Sequence, residues 1–291
     1  MTHFDRDTAV TRTGDDEYAA TLSGDWWVFT GANGGYLAAV LLRAMTDRVG
    51  DPARMARSLT VHYLRPPAAG EVTIRTAVVR EGRSVATLTA TMLQEGREVV
   101  LAVAAFAKAR PSMTFADAPM PPAPPVEETG PSRWPPELWP PIVHRFEYRP
   151  VTGDAMFGGE AEAAVSAWTR LREPRPVDPV LLALLADALA PAVFPKATGP
   201  VAATTIDLTV HFRAPAAEPP GDGWVLAAFR SRTGVDGYVE EDGEAGRPTG
   251  GSSRSPGSSR SSCRLREHRP PGSGIFSPRT TTSEWRNRQT R

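Results

Sequence analysis

The sequence predicts an α+β protein built from two copies of one plan, a helix followed by antiparallel strands that curl around it. Three observations carry this. Leu59-Thr60-Val61-His62-Tyr63 recurs 149 residues later as Leu208-Thr209-Val210-His211-Phe212, and each copy soon meets proline. Solenoid units repeat at roughly 20–50 residues, so this offset marks a duplicated domain. In both copies the motif follows a segment of helical period and precedes strand-like runs. Between the copies, Pro111 to Pro141 holds eleven of the 29 prolines. Proline cannot donate ladder hydrogen bonds and favours extended backbone, so this stretch reads as a semi-rigid linker.

In the first copy, Glu17–Phe29 has the aromatic and β-branched content of a strand. Asn33, Gly34 and Gly35 open a helix, Tyr36–Arg48, with Leu37, Val40, Leu41, Ala44 and Met45 at helical spacing. Strands are expected at Ser58–Leu64, Glu71–Arg80, Arg83–Gln94 and Val99–Lys108, with turns at Leu64–Pro67 and Glu81-Gly82. The second copy offers strands at Val143–Arg149 and Ala163–Leu171. Asp178 then serves as N-cap and Pro179 as first residue of a helix over Val180–Leu189. Thr204–Arg213 and Trp224–Arg230 follow as strands, and Gly237–Glu241 begins another. The layout is a first domain over 1–110, the linker over 111–141, a second domain over 142–244 without its final strand, and a tail over 245–291.

Composition narrows the function. Of 291 residues, 41% are hydrophobic and 23% charged, enough apolar material for a real core. Lys+Arg and Asp+Glu both number 33, so no basic excess points to nucleic acid. One cysteine, Cys263, excludes an internal disulfide framework and a cysteine-rich zinc site. The N-terminus lacks the apolar core of a signal peptide. Val180–Phe194, the longest apolar stretch, is interrupted by Asp187 and Pro191 and is shorter than the ~20 residues of a membrane span. A cytoplasmic protein is the expectation.

Averages hide a break. Ala245–Arg291 carries ten Arg, no Lys, two Glu and ten Ser, for a net charge of +8 against −8 for the preceding residues. It shows neither helical nor strand period and reads as a disordered basic arm. Ser, Arg, Gly and Pro are also what GC-rich DNA yields in a wrong frame. Back-translating Gly246–Arg264 with G or C in free third positions gives the alternative reading PDGRLLAQSRQLALLLP. That is an Asp-Gly turn and a buried-type strand, matching EGREVVLAVAAF of the first copy. The expectation is a frame error near the codon for Gly246.

The stretch Phe29-Thr30-Gly31-Ala32-Asn33-Gly34-Gly35, then SLTVHYLRP, REGRS and QEGREVVLAVAAF, resembles the N-terminal half of the thioesterase II family of acyl-CoA thioesterases. LLALLADAL and TTIDLTVHFRAP resemble its C-terminal half, and the likeness covers about residues 15 to 244. The resemblance implies a tandem (double) hotdog, two antiparallel sheets each wrapped around a long helix. It also implies hydrolysis of fatty acyl-CoA by water held by an Asp on the second helix, a Thr or Ser opening the next strand, and a Gln on the final strand. Asp187 takes the first position and Thr205 the second. The Gln falls beyond the break, where the second Gln of QSRQLAL in the restored frame is encoded across Gly257 and Ser258. Gly34 and Gly35 are brought toward the substrate.

The chemistry needs no covalent nucleophile if a carboxylate takes the proton of a held water. Taken alone, the residues leave plainer readings open. Asp187 among leucines fits a solvent-facing helix position, Thr205 fits sheet packing, and Thr204 competes with it by one residue. His62 and His211 recur symmetrically in strands and suit structural roles. Trp26-Trp27 suits core or interface. No His cluster supports a metal, and no cofactor is implied. The partner implied is acyl-CoA, with a homo-oligomer left open. Two rivals remain, a non-catalytic acyl-CoA-binding scaffold and a hotdog enoyl-thioester hydratase, which needs a His beside a carboxylate.

Overall fold

The computed structural model describes residues 1–113, 120–213, 223–246 and 260–268, the last stretch by its backbone. After a short helix α1 (His3–Asp7), the first half runs β1 (Glu17–Leu22), α2 (Gly34–Val49), β2 (Arg54–Tyr63), β3 (Gly70–Glu81), β4 (Val85–Gln94) and β5 (Arg97–Lys108). The second half runs β6 (Phe146–Thr152), β7 (Ala163–Leu171), α3 (Pro179–Leu185), α4 (Val193–Lys196), β8 (Asp207–His211), β9 (Val225–Ser231), β10 (Tyr238–Gly246) and β11 (Arg260–His268).

α2 starts where Asn33 Oδ1 accepts the Tyr36 N–H at 2.9 Å and stops at Gly50, left-handed at φ 61°. Leu37, Leu41, Leu42 and Met45 are fully buried beneath the strands. Each such side chain contributes about 1.5–3 kcal/mol against about 1 kcal/mol for an N-cap. Burial therefore sets where the helix lies, and the cap sets where it begins. The strands alternate as half-buried strands should: in β4, Ala86, Leu88, Ala90 and Met92 face the helix.

All neighbours are antiparallel, and the two halves share one sheet in the order β1-β3-β4-β5-β2-β8-β11-β10-β9-β7-β6. The duplicated motifs make the seam. β2 pairs with β8 so that Thr60 lies opposite Thr209, with Leu59 opposite Val210 and Val61 opposite Leu208. The two threonine hydroxyls are 3.2 Å apart. A pseudo-twofold axis thus passes between equivalent residues, as duplication requires.

Two expectations differ from what is seen. The second helix ends at Leu185, not Leu189, so it is a seven-residue helix rather than a long one. Pro191 disfavours helical backbone at Ala190, and the Ala183 and Leu184 carbonyls already abut Gly35 of α2. The second difference lies in the Arg/Ser-rich tail, most of which is outside the described residues. Arg260–His268 within it forms β11, paired along β10 and along β8. It fills in the second half the place β5 fills in the first. Ladder bonds use backbone groups alone, so two open strand edges accept a sequence that composition assigns to a coil. The linker, where described, lies against the second half: Trp168 Nε1 donates to Pro124 O and Arg133 N to Asp154 Oδ2.

Candidate active site

The site lies where the first half's helix start meets the second half's helix end. Past Leu185 the chain turns through Ala186 and Asp187, with Asp187 N donating to Leu184 O. Asp187 is thus off the helix face and on the turn that follows it. Its Oδ2 accepts from Gly35 N at 3.1 Å and from Asn33 Nδ2 at 3.0 Å, and Asn33 Nδ2 also reaches the Asp187 carbonyl at 2.6 Å. The Gly34 amide and the Thr205 hydroxyl complete its donors. A carboxylate at the N-terminus of a 16-residue helix also sits in the favourable end of the helix dipole.

These donors oppose a larger effect. Loss of hydration raises the Asp187 carboxyl from 3.8 to about 6, and the Gly35 and Gly34 amides and Thr205 pull it back only in part. The group is ionised at neutral pH yet basic enough to take a proton from water.

Gly34 and Gly35 are brought to Asp187, and the reason is steric. A Cβ on Gly35 would lie 2.5 Å from Leu184 O and 3.1 Å from Asp187 Cβ. One on Gly34 would lie 2.8 Å from the Tyr63 hydroxyl and 2.9 Å from Asp187 Oδ2. Only glycines let carboxylate, phenol and helix start converge. Both amides thereby serve Asp187. Thr205 lies two residues before β8, half-buried and turned to Asp187, whereas Thr204 is exposed. Strand-like alternation separates them. The Gln expected on the final strand falls on residues outside the described ones.

Three site residues escaped sequence reasoning. Asn33 reads as an N-cap, and nothing in its sequence neighbourhood reveals its second bond across the seam. Tyr63 ends β2, and Tyr63 N donates to Ile206 O beside Thr205. Its signal was present, because the equivalent residue of the other copy is Phe212, without a hydroxyl. Glu241 of β10 is 3% exposed, and its Oε2 accepts the Ala192 N–H at 2.6 Å. His62, by contrast, is exposed on the outer face of β2. Trp26 is buried, stacked on Tyr36 at 5.6 Å. Among the described residues no group of three or more His, Cys, Asp or Glu is placed to hold a metal, and no helix is long and apolar enough to cross a membrane.

Residues 23–107 match the model of the acyl-CoA thioesterase N-terminal domain, and residues 118–254 that of the acyl-CoA thioesterase C-terminal domain. No curated protein matches the chain. Among solved structures, a hotdog-fold protein of unknown function from Alicyclobacillus acidocaldarius is 26% identical, covering 93% of this chain and 99% of its own, with a TM-score of 0.79. A Thermobifida fusca YX protein assigned as a thioesterase II is 27% identical over 93% and 98% of the two chains, with a TM-score of 0.78. The acyl-CoA thioesterase II TesB2 of Mycobacterium marinum, 20% identical over 92% and 99%, shares the fold at a TM-score of 0.71. With both domain models matched in order on a double hotdog, the chain belongs to the acyl-CoA thioesterase family of thioester hydrolases.

Proposed function

We propose that the protein hydrolyses fatty acyl-CoA to free acid and CoA by direct attack of a water held between Asp187 and Thr205. The observation that carries this is the Asp187 carboxylate, fixed by Asn33, Gly35 and Thr205 at the seam of the two halves. Asp187 takes a proton as the water oxygen bonds to the thioester carbonyl carbon. Collapse of the tetrahedral intermediate breaks the C–S bond and releases CoA, whose sulfur is a good leaving group because a thiol ionises near pH ~8.5. No covalent enzyme intermediate arises. Positioning supplies much of the rate, because the water is held before substrate arrives.

A cavity of about 370 Å³ in the second half is lined in part by Val193, Ala197, Val201, Ala203 and Val239, with Lys196, Arg232 and Asp236 also on its wall, a mixed lining that suits an apolar acyl group with a polar end. Its lining comes within one or two residues in sequence of Ala192, Thr205 and Glu241, through Val193, Ala203 and Val239. The hydratase reading gains no support from His62, which is exposed on β2. CoA release from acyl-CoA substrates, followed with a thiol reagent, tests the proposal. Asp187→Asn is expected to lower kcat by about 10²–10⁴-fold. A variant as fast as the parent, or a parent that releases no CoA, overturns it.

A further inference from the structure

Asp187 stands on a turn, and a turn needs something to hold it. Three contacts do so. Asn33 Nδ2 donates to the Asp187 carbonyl, the Tyr148 hydroxyl of β6 donates to the Ala188 carbonyl at 2.8 Å, and Glu241 accepts the Ala192 N–H. The third is the unusual one. Glu241 points inward from β10, is all but fully buried, and among the described residues forms no ion pair with lysine or arginine. A buried carboxylate without a cation is costly, and the ordinary resolution is for it to keep its proton.

We propose that Glu241 is a positioning residue for Asp187: as a neutral acid it anchors the 186–192 turn, and its ionisation in mild alkali disables the site. This rests on the reading of Asp187 as the base that activates water.

The surroundings of Glu241 support it from each side. Among the described residues Asp187, on the anchored turn, is the one charge that acts on it, and that charge adds to burial in the same direction. Together they lift Glu241 from 4.5 to about 8, although the Ala192 amide pulls the other way. Burial also pushes the Tyr148 phenol up, so it stays neutral across this range. Lys196 of α4 is engaged with the Ala161 carbonyl. On β11 the residue in register with Glu241 is Leu265, with Cys263 opposite Gly243 and Glu267 opposite Val239. Two carboxyls that share one region titrate in sequence as a pair, and the helix-end donors at Asp187 favour the charge there and the proton on Glu241. A second negative charge there would repel Asp187 and draw water into the seam.

The test uses the full chain and compares Glu241→Gln with Glu241→Ala. Glutamine keeps an acceptor for the Ala192 amide and stays neutral at every pH. Expected are a kcat loss on the order of 10²-fold in Glu241→Ala with little change in KM, rescue of that loss by Glu241→Gln, and an alkaline decline near pH 8 in the parent that Glu241→Gln lacks. Melting temperature followed from pH 5 to 9 gives a readout independent of catalysis. A carboxyl whose value is raised on folding stabilises fully below its unfolded value, and that contribution is lost as pH climbs through the folded one. The parent should therefore lose more melting temperature across this range than Glu241→Gln. Identical alkaline limbs and melting slopes in the two proteins overturn the proposal, as does a Glu241→Gln protein as slow as Glu241→Ala. An inactive parent whose melting slope still depends on Glu241 would overturn the hydrolase reading and leave the neutral anchor standing.

Discussion

At the scale of single residues, the site is a contest between desolvation and donors at one carboxylate. Because Asp187 must be ionised to accept a proton, kcat/KM should rise with pH and level off above an apparent value of about 6. A pH–rate profile checks this, and a plateau that persists to pH 4 would exclude Asp187 as the base. The same shift has a stability side. The folded value lies above the unfolded one, so the contribution is complete below about 4 and is lost as pH rises through about 6. Asp187→Asn should thus unfold at higher denaturant than the parent at pH 8, by about 1–2 kcal/mol, while losing activity. Asn33 separates its two tasks by substitution. Asn33→Ala should cost about 1 kcal/mol from the lost cap as well as slowing hydrolysis. Asn33→Asp keeps an acceptor for Tyr36 N but sets a carboxylate against Asp187. It should hold most of that stability yet move the acid limb of the rate profile upward.

Elements explain what the sequence could and could not disclose. α2 and the strands around it were legible because their apolar spacing is regular and their boundaries are marked, Asn33, Gly34 and Gly35 at the helix start and proline or glycine at the turns. The end of α3 was not. Leu-Leu-Ala-Leu-Leu-Ala-Asp-Ala-Leu reads as continuous helix, and what ends it four residues early is, besides Pro191, contact with a segment some 150 residues away. The same contact answers why a charged residue interrupts an apolar run: Asp187 lies past the helix end, facing donors no local pattern displays. Asn33 and Tyr63 were missed on the same ground, since each acts across a seam that exists only once both halves have folded, and Glu241 was missed because the Ala192 amide it accepts lies 49 residues away on a turn of the same half. At Gly35 the Ala183 and Leu184 carbonyls of α3 come up against α2. Gly35→Ala should cost about 1–3 kcal/mol by overpacking and reduce hydrolysis as far as Asp187→Asn does, because the added methyl displaces the turn itself. Chemical unfolding and CoA release, measured on one preparation, check both effects.

For the whole molecule, the duplicated halves differ at the location that corresponds to Asp187. Leu42 stands as far past the Asn33 cap as Asp187 does past the Asp178 cap, and it is fully buried. Near the start of α3, Asp5 of α1 bonds both Arg43 and Arg175, and Arg175 in turn pairs with Asp178. Phe4 lies under both arginines. The proposed site of one copy thus corresponds to a buried leucine and an ion-pair cluster in the other. The sheet is less settled at β11. Its first-half counterpart, β5, is REVVLAVAAFAK, rich in aliphatic residues, whereas β11 is RSSCRLREH. Both strands occupy an interior place in the sheet, where one face should be buried and where Val, Ile, Leu and Phe are favoured. The alternative reading frame from Gly246 supplies such a strand, RLLAQSRQLALLL, in the same interval and with the Gln that the family resemblance requires. A chain carrying PDGRLLAQSRQLALLLP after Gly246 should melt higher than the present chain and release CoA faster, with the gain in rate abolished when the second Gln of QSRQ is replaced by Ala. Resequencing the coding DNA from the codon for Tyr238 tests the origin of the break directly. Equal melting temperatures and equal rates for the two chains would mean that backbone pairing alone satisfies this position, and that the basic strand is native to the fold.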